Sequence, residues 1–322
     1  MLKIGLVGAW HVHFDGYAKE AQNHEGCVIT RLWESDEAAG RAAAEKYGCE
    51  YFSDYGAFLA GDEVDAVIVS SATNLHPELM IKAARAKKHI FTEKVLAITD
   101  GDALKIKEAV DESGVKFCIS FPWRSRPDFL WVKQALEDKL IGEVTYCRMR
   151  NAHSGASNDW LPASFYDPVA CGGGAMMDLG AHGMYLLNWL LGEPKRVTSV
   201  FTNFMVESVE DNAVCVLEYE SGAIGVNETA FVADKDPFSL EITGTKGTIF
   251  AGGPTGELVF NIGMGWIEPD ETPDFAGGTI DIFLNGIING GPIPYGIDDA
   301  VALTRTMSAA YRSAAKKAAE IL

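Results

Sequence analysis

Apolar residues up to Pro122 come in short bare runs separated by stretches of helical period. Ile4-Gly5-Leu6-Val7, Val28 to Leu32, Val64 to Val69, His89-Ile90-Phe91 and Val115 to Ile119 lack the alternation of a half-exposed strand. Runs of this kind suit strands covered on both faces, which predicts a parallel sheet. The intervening segments have readable ends. Ser35 or Asp36 can cap a helix through Ala42-Ala43-Ala44 that stops at Gly48, and Thr99 with Asp102 can cap one that stops at Gly114. Strand and helix in alternation predict a doubly wound, Rossmann-type nucleotide-binding domain.

The pattern changes after Pro122. A helix through Phe129 to Asp138 leads into a strand over Val144 to Asn151, then an aromatic and Gly-rich loop to Gly174. A helix from about Met176 to Leu191 follows, halted by Gly192 and Pro194. Strand runs then crowd together: Val197 to Phe204, Ala213 to Tyr219, Ala223 to Val232, Leu240 to Thr243, Gly247 to Phe250 and Glu257 to Ile262. Turn residues such as Ser221-Gly222 and Gly244-Thr245-Lys246-Gly247 join several of them directly, which predicts a largely antiparallel sheet. The last helix is expected to open near Asp298-Asp299 and run to Ile321. The expected fold class is α/β: a Rossmann domain over residues 1–122, then an α+β substrate-binding and oligomerisation domain over 123–322 with a large, open, mostly antiparallel sheet.

Composition narrows the function classes. At 322 residues, with 48% hydrophobic and 22% charged residues, the chain can bury the cores of two domains. A net charge of -18 with no Lys/Arg run opposes binding to nucleic acid or to anionic membranes. No apolar stretch approaches the roughly 18–20 residues of a membrane span. The N-terminus enters a strand pattern at once, without the features of a signal peptide. Six cysteines without a C-x-x-C pair suggest reduced thiols rather than disulfides or zinc, hence a cytoplasmic protein.

The turn after the first strand, Gly8-Ala9-Trp10-His11-Val12-His13, sits where a dinucleotide fingerprint would lie. Gly8 fits the first glycine of that fingerprint, while Trp10 and His13 occupy the other two. Glu34 ends the second strand, where a carboxylate would bind the adenosine ribose and repel a 2′-phosphate. NAD is therefore expected, and NADP less so. Further cofactor contacts are expected from Trp10, His11, Val12, Ser71, Thr73, His76, Glu93 and Lys94. His11 and His13 form an H-x-H pair, but a metal needs a further ligand. With no evident third, no metal is expected.

Lys94 follows the strand at His89-Ile90-Phe91, at the edge where such sheets bind ligands, so its cation is placed to stabilise alkoxide character near a nicotinamide. Asp178 and His182 lie four residues apart behind Gly172-Gly173-Gly174, on one face of the expected helix. The histidine can exchange a proton near neutral pH, and the aspartate can orient it or hold a hydroxyl. The three glycines would let a substrate or cofactor approach the backbone closely. Trp123, Trp160 and Tyr166 can stack on the C–H faces of sugars, and Arg124, Asn158 and Asp159 can supply polar contacts.

Several motifs occur in order. They are Ser71-Ala72-Thr73-Asn74-Leu75-His76, Thr92-Glu93-Lys94-Val95-Leu96-Ala97, Arg124-Ser125-Arg126-Pro127, Gly173-Gly174 with Asp178, Gly180 and His182, and Tyr311-Arg312-Ser313-Ala314. Together they resemble the Gfo/Idh/MocA (glucose-fructose oxidoreductase/inositol dehydrogenase) family. Val95 stands where that family carries a proline, and Tyr185 where an aspartate frequently follows the histidine. The resemblance implies a Rossmann domain joined to an α/β domain whose open sheet mediates homodimers or homotetramers. It also implies oxidation or reduction of sugars and cyclitols with a nicotinamide cofactor, with Lys94, Asp178 and His182 in the catalytic roles. Two rival expectations share the residues: a sugar-converting enzyme that uses NAD without net redox, and a dinucleotide-binding sensor without turnover.

Overall fold

The structure, a computed structural model, describes residues 1–235 and 238–322. It divides into two compact units, Met1–Phe121 with Gly277–Val301, and Pro122–Ala276 with Ala302–Leu322.

The first unit is a Rossmann fold. Its elements are β1 (Leu2–Val7), α1 (Phe14–Asn23), β2 (Cys27–Trp33), α2 (Glu37–Tyr47), β3 (Glu50–Phe52), α3 (Tyr55–Leu59), β4 (Ala66–Val69), α4 (His76–Arg85), β5 (His89–Thr92), α5 (Asp100–Ser113) and β6 (Phe117–Ile119). The six strands lie in the order β3-β2-β1-β4-β5-β6. Every pairing is parallel, with Leu6 level with Leu32 on one side and Ile68 on the other. Residues Ala66 to Val69 are all buried, so both faces of β4 are covered, as the bare apolar runs imply. The expected caps are present: Asp36 accepts the Ala39 N–H at 2.9 Å, and Thr99 accepts that of Asp102 at 3.1 Å. Gly48 and Gly114 close α2 and α5 in the left-handed conformation. The edge strand β3 is absent from the expected set because three residues carry too little pattern to read.

The second unit contains α6 (Pro127–Glu137), β7 (Val144–Ala152), α7 (Pro168–Cys171), α8 (Ala181–Leu191), β8 (Arg196–Thr202), β9 (Asn212–Glu218), β10 (Ile224–Ala230), β11 (Ser239–Gly244), β12 (Thr248–Gly252) and β13 (Glu257–Asn261). Its open sheet runs β13-β12-β11-β7-β10-β9-β8 and ends on a short strand at the C-terminus. All pairs are antiparallel except β7 with β10. Cys147, Met149, Cys215, Leu217, Leu240 and Ile242 form a buried face, and α8 packs against β7 and β10. Every residue from Ala181 to Leu187 on α8 is buried, so this helix runs through the core rather than along a surface.

Two further helices follow, α9 (Thr279–Ile288) and α10 (Ile297–Lys316). The division of the sequence at 122/123 leaves α9 with the later part of the chain, whereas the structure groups Gly277–Val301 with the first unit. The reason is packing: α9 lies against α1 and β6, the Phe283 ring sits 5.8 Å from that of Phe91, and the Ile119 N–H donates to the Tyr295 carbonyl at 2.9 Å. The last helix ends at Lys316 rather than Ile321, because Glu320–Ile321 form β14 against β8.

Candidate active site

In the first unit the turn after β1 is shaped by Gly8. Its φ of 80° lies in the left-handed region, and a Cβ there would meet the Ser71 Cα at 2.6 Å, so only glycine fits. The Gly8 N–H donates to the Trp33 carbonyl at 2.8 Å and the His11 N–H to the Ser70 carbonyl at 3.0 Å. These bonds tie the turn to the ends of β2 and β4. At the positions of the other two fingerprint glycines, Trp10 is half-buried and His13 is exposed as the residue before α1. Val12 is exposed beside them, and His11 is buried.

Glu34 is buried at the end of β2. Its carboxylate accepts the Ala9 N–H at 2.8 Å, the Ser35 hydroxyl at 2.9 Å and the Asp36 N–H at 3.1 Å. An ionised carboxylate offers about four acceptor sites, so capacity remains for one ribose hydroxyl. The positive-φ glycine, the helix N-terminus beyond it and this carboxylate fit a bound NAD.

Ser71 and Thr73 are buried beside the turn. His76 is 1% exposed, and both of its ring nitrogens face carbonyls: Nδ1 those of Val95 at 3.1 Å and Leu96 at 3.2 Å, Nε2 that of Ser71 at 3.2 Å. Burial holds its pKa below the ordinary value, against those carbonyls. The ring therefore clamps the segment after Lys94 to the Ser71 loop, and its nitrogens are taken up by protein, not offered to a cofactor.

Glu93 and Lys94 are both buried, and the Lys94–Val95 peptide is cis. Glu93 meets residues of the first turn. Its Oε1 lies 3.3 Å from His13 Nδ1, and its Oε2 accepts the Tyr17 hydroxyl, which in turn sits 2.7 Å from Ser120 Oγ. Burial pushes the Glu93 carboxyl up, but His11, His13 and Lys94 outweigh it and hold the group well below the usual carboxylate range. Ligand atoms of His11, His13 and Glu93 lie within 4.8 Å of one another. The third partner for the H-x-H pair is thus Glu93, brought in by strand order and invisible in local spacing.

In the second unit Met176–Gly180 form a π-helical turn that runs into α8. His182, on the first turn of α8, is buried, with its ring stacked on Trp123 at 4.8 Å and its Nδ1 3.0 Å from the Tyr185 hydroxyl. That hydroxyl also accepts the Trp123 N–H at 3.2 Å. Asp178 is half-buried on the π-helical turn and acts electrostatically on His153, which the sequence motifs do not single out. Burial lowers the His153 pKa, and the Asp178 charge opposes that shift. The His153 ring stacks on Phe231 at 5.2 Å and lies 4.6 Å from the exposed Trp160. Tyr166 packs beside the Leu161, Phe165, Ala175 and Phe231 cluster. Arg124 is buried, its guanidinium 5.0 Å over the Trp189 ring. Asn158 bonds Ser154 at 2.8 Å on an exposed loop that also carries Asp159.

The Gly172–Gly174 run has a different role from the expected one. Gly172 closes α7 at a φ of 80°, a Cβ on Gly173 would lie 1.9 Å from the Tyr311 hydroxyl, and one on Gly174 would lie 2.1 Å from the Glu210 carbonyl. Protein fills the space that was expected to admit a ligand at Gly173 and Gly174. Glu210 binds the strand of backbone beside it: its Oε1 accepts the N–H groups of Gly174 at 2.9 Å and Met176 at 3.0 Å, and the Tyr311 hydroxyl at 2.6 Å.

Residues 2–121 match the GFO/IDH/MocA oxidoreductase family with its NAD-binding Rossmann fold, and residues 129–250 match the GFO/IDH/MocA C-terminal domain. The chain belongs to the Gfo/Idh/MocA family. Myo-inositol 2-dehydrogenase of Thermotoga maritima is 30% identical over 261 residues, 78% of this chain and 75% of that protein. Inositol 2-dehydrogenase of Rhizobium meliloti is 27% identical over 98% of each chain. The WlbA dehydrogenase from Bordetella pertussis, solved in complex with NADH and UDP-GlcNAcA, superposes with a TM-score of 0.87 at 23% identity. That match covers 100% of this chain and 97% of the other, and it shows the shared fold. This Gfo/Idh/MocA protein is an oxidoreductase with an NAD-binding Rossmann unit. Among its described residues, no helix is long and apolar enough to cross a membrane.

Proposed function

We propose that this Gfo/Idh/MocA chain is an NAD-dependent dehydrogenase acting on a secondary hydroxyl of a sugar, cyclitol or related polyol. The observation that carries the reading is the setting of His182, a buried imidazole framed by Trp123 and Tyr185 at the head of α8. Names of relatives, two of them inositol dehydrogenases, supply the substrate class. Bound NAD supplies the acceptor for the hydride, and the chain's own residues manage the proton.

In this reading His182 takes the hydroxyl proton at Nε2, so its neutral ring carries a proton on Nδ1 and donates it to the Tyr185 oxygen. Lys94 stabilises the oxygen as it gains alkoxide character, and Asp178 orients the substrate hydroxyl or the imidazole. Gly8, Trp10, His11, Val12, Glu34, Ser71, Thr73 and Glu93 frame the cofactor, with His76 holding the loops around it. Trp123, Trp160 and Tyr166 line the substrate side, joined by His153, while Arg124 braces Trp189. The chain assembles as a homodimer or homotetramer through the open sheet of the second unit.

The test is turnover of a panel of inositols and sugars followed by NADH absorbance, with Lys94→Ala and His182→Ala beside the parent. Each variant should lose about 100-fold or more in kcat, the usual scale of acid–base and electrostatic assistance, with NAD binding within a few-fold of the parent. Unchanged turnover in both variants defeats the assignment of roles. NAD binding without turnover on any polyol defeats the enzyme reading itself.

A further inference from the structure

The first unit contains a donor set of which the dehydrogenase reading uses only His11 and Glu93, and those only as part of the frame around the cofactor. Two imidazoles, His11 and His13, come from the turn after β1, and one carboxylate, Glu93, comes from the end of β5. Their ligand atoms all lie within 4.8 Å of one another, and His13 Nδ1 and Glu93 Oε1 are already 3.3 Å apart. Ligands about 2.0–2.2 Å from a tetrahedral first-row cation stand roughly 3.3–3.6 Å from one another, so the His13–Glu93 pair has this spacing and the pairs with His11, within 4.8 Å, need to close by at most about 1.5 Å.

The surroundings resemble those of a metal ligand as well. Glu93 is 2% exposed, and its second oxygen accepts the Tyr17 hydroxyl, itself held 2.7 Å from Ser120 Oγ. The phenol fixes the carboxylate so that Oε1 points toward His13, which is how an outer hydrogen-bond partner orients a ligand. A buried carboxylate needs positive charge nearby, and Lys94 supplies part of that field. The His13 side chain is 47% exposed, which leaves a solvent route to the cluster.

We propose that His11, His13 and Glu93 form a binding site for a first-row divalent cation, with two imidazoles and one monodentate carboxylate as protein ligands and an open position for water or another oxygen donor. Imidazole with carboxylate suits zinc, iron, cobalt or nickel and is a poor set for calcium or magnesium, which favour all-oxygen sites. His13, which takes the place of one fingerprint glycine, then acquires a purpose: the β1–α1 turn is tied to the end of β5 by a metal. The binding itself is independent of any dehydrogenase turnover.

The experiment uses untagged full-length protein stripped with chelator and titrated with Co²⁺, reading the visible ligand-field bands, with Zn²⁺ as competitor. One equivalent of Co²⁺ per chain should bind, and Zn²⁺ should displace it. His13→Ala, at an exposed position that folding tolerates, and Glu93→Gln should each abolish the one-equivalent bands, with circular dichroism unchanged. Tyr17→Phe, which removes only the outer partner, should weaken binding about 10–100-fold. Absence of stoichiometric Co²⁺ binding, or bands that persist unchanged in His13→Ala, overturns the proposal. Neither result bears on NADH formation, which is read separately.

Discussion

Gly173→Ala places a methyl carbon 1.9 Å from the Tyr311 hydroxyl and 2.4 Å from its Cζ, far inside the roughly 3.5–4 Å of ordinary contact. The ring cannot simply swing aside, since its hydroxyl is held by Glu210 at 2.6 Å and its face packs edge-on to Phe201 at 5.0 Å. Forcing it out costs about 1–3 kcal/mol of overpacking, and about 1.5–3 kcal/mol more for the lost hydrogen bond to a carboxylate. A loss of about 2.5–6 kcal/mol follows. Of the seven tryptophans, Trp123, Trp131, Trp160, Trp189 and Trp266 lie in the second unit, so urea melts followed by tryptophan fluorescence chiefly report this unit. Tyr311→Phe separates the terms: it should cost only the hydrogen-bond share, and Gly173→Ala should cost less in that background than in the parent. A Gly173→Ala protein within about 0.5 kcal/mol of the parent, but with kcat/KM lowered, would refute the packing argument and restore the view that the glycine admits a ligand.

Tyr185→Phe deletes the partner of His182 Nδ1 while keeping the ring. Loss of a net 0.5–1.5 kcal/mol hydrogen bond should lower kcat about 2–10-fold and move the acid limb of its pH profile, with NAD affinity unchanged in equilibrium titration. On the sheet of the second unit, Arg148 grips Glu228 through two bonds of 2.9 Å, and chiefly that contact holds the Glu228 carboxyl below its ordinary value, against burial. The unfolded chain takes up this proton first as pH falls, so the pair's contribution is fully present above about pH 4.5 and fades below it. Glu228→Gln should therefore lower stability at neutral pH and flatten its decline in acid, as read by urea melts across pH. An identical acid slope in parent and variant would show the pair to be inert.

Sheet strands are legible where burial is uniform or strictly alternating, but the order in which they pair is set by tertiary contacts that no local run carries. The run Thr279–Ile288 was harder, because TIDIFLNGII is apolar nearly all round and periodicity alone does not tell such a run from a strand. Its membership of the first unit depends on the tertiary contact of Phe283 with Phe91, which no local signal carries. The same limit applies to the sites. The positions of Gly8 and Glu34 are legible because each directly follows a strand visible in the sequence, whereas the approach of Glu93 to His11 and His13 depends on β1, β4 and β5 lying side by side. His153 carries no local signal because only the packing of the π-helical turn Met176–Gly180 on β7 and β10 brings it under the influence of Asp178. Gly173 and Gly174 misled for the converse reason: small residues mark close approach, but sequence does not say by what.

The inclusion of Gly277–Val301 in the first unit bears on how the protein is made. Synthesis from the N-terminus delivers all six strands of the Rossmann sheet by Ile119, yet Phe283 and Tyr295, which cover Phe91 and bond to Ile119, arrive only after β13. A nascent polypeptide thus carries this nucleotide-binding half with one flank uncovered while β7 to β13 of the second sheet are being translated. The Rossmann sheet is sealed on this flank only after the strands of the other unit up to β13 have been made.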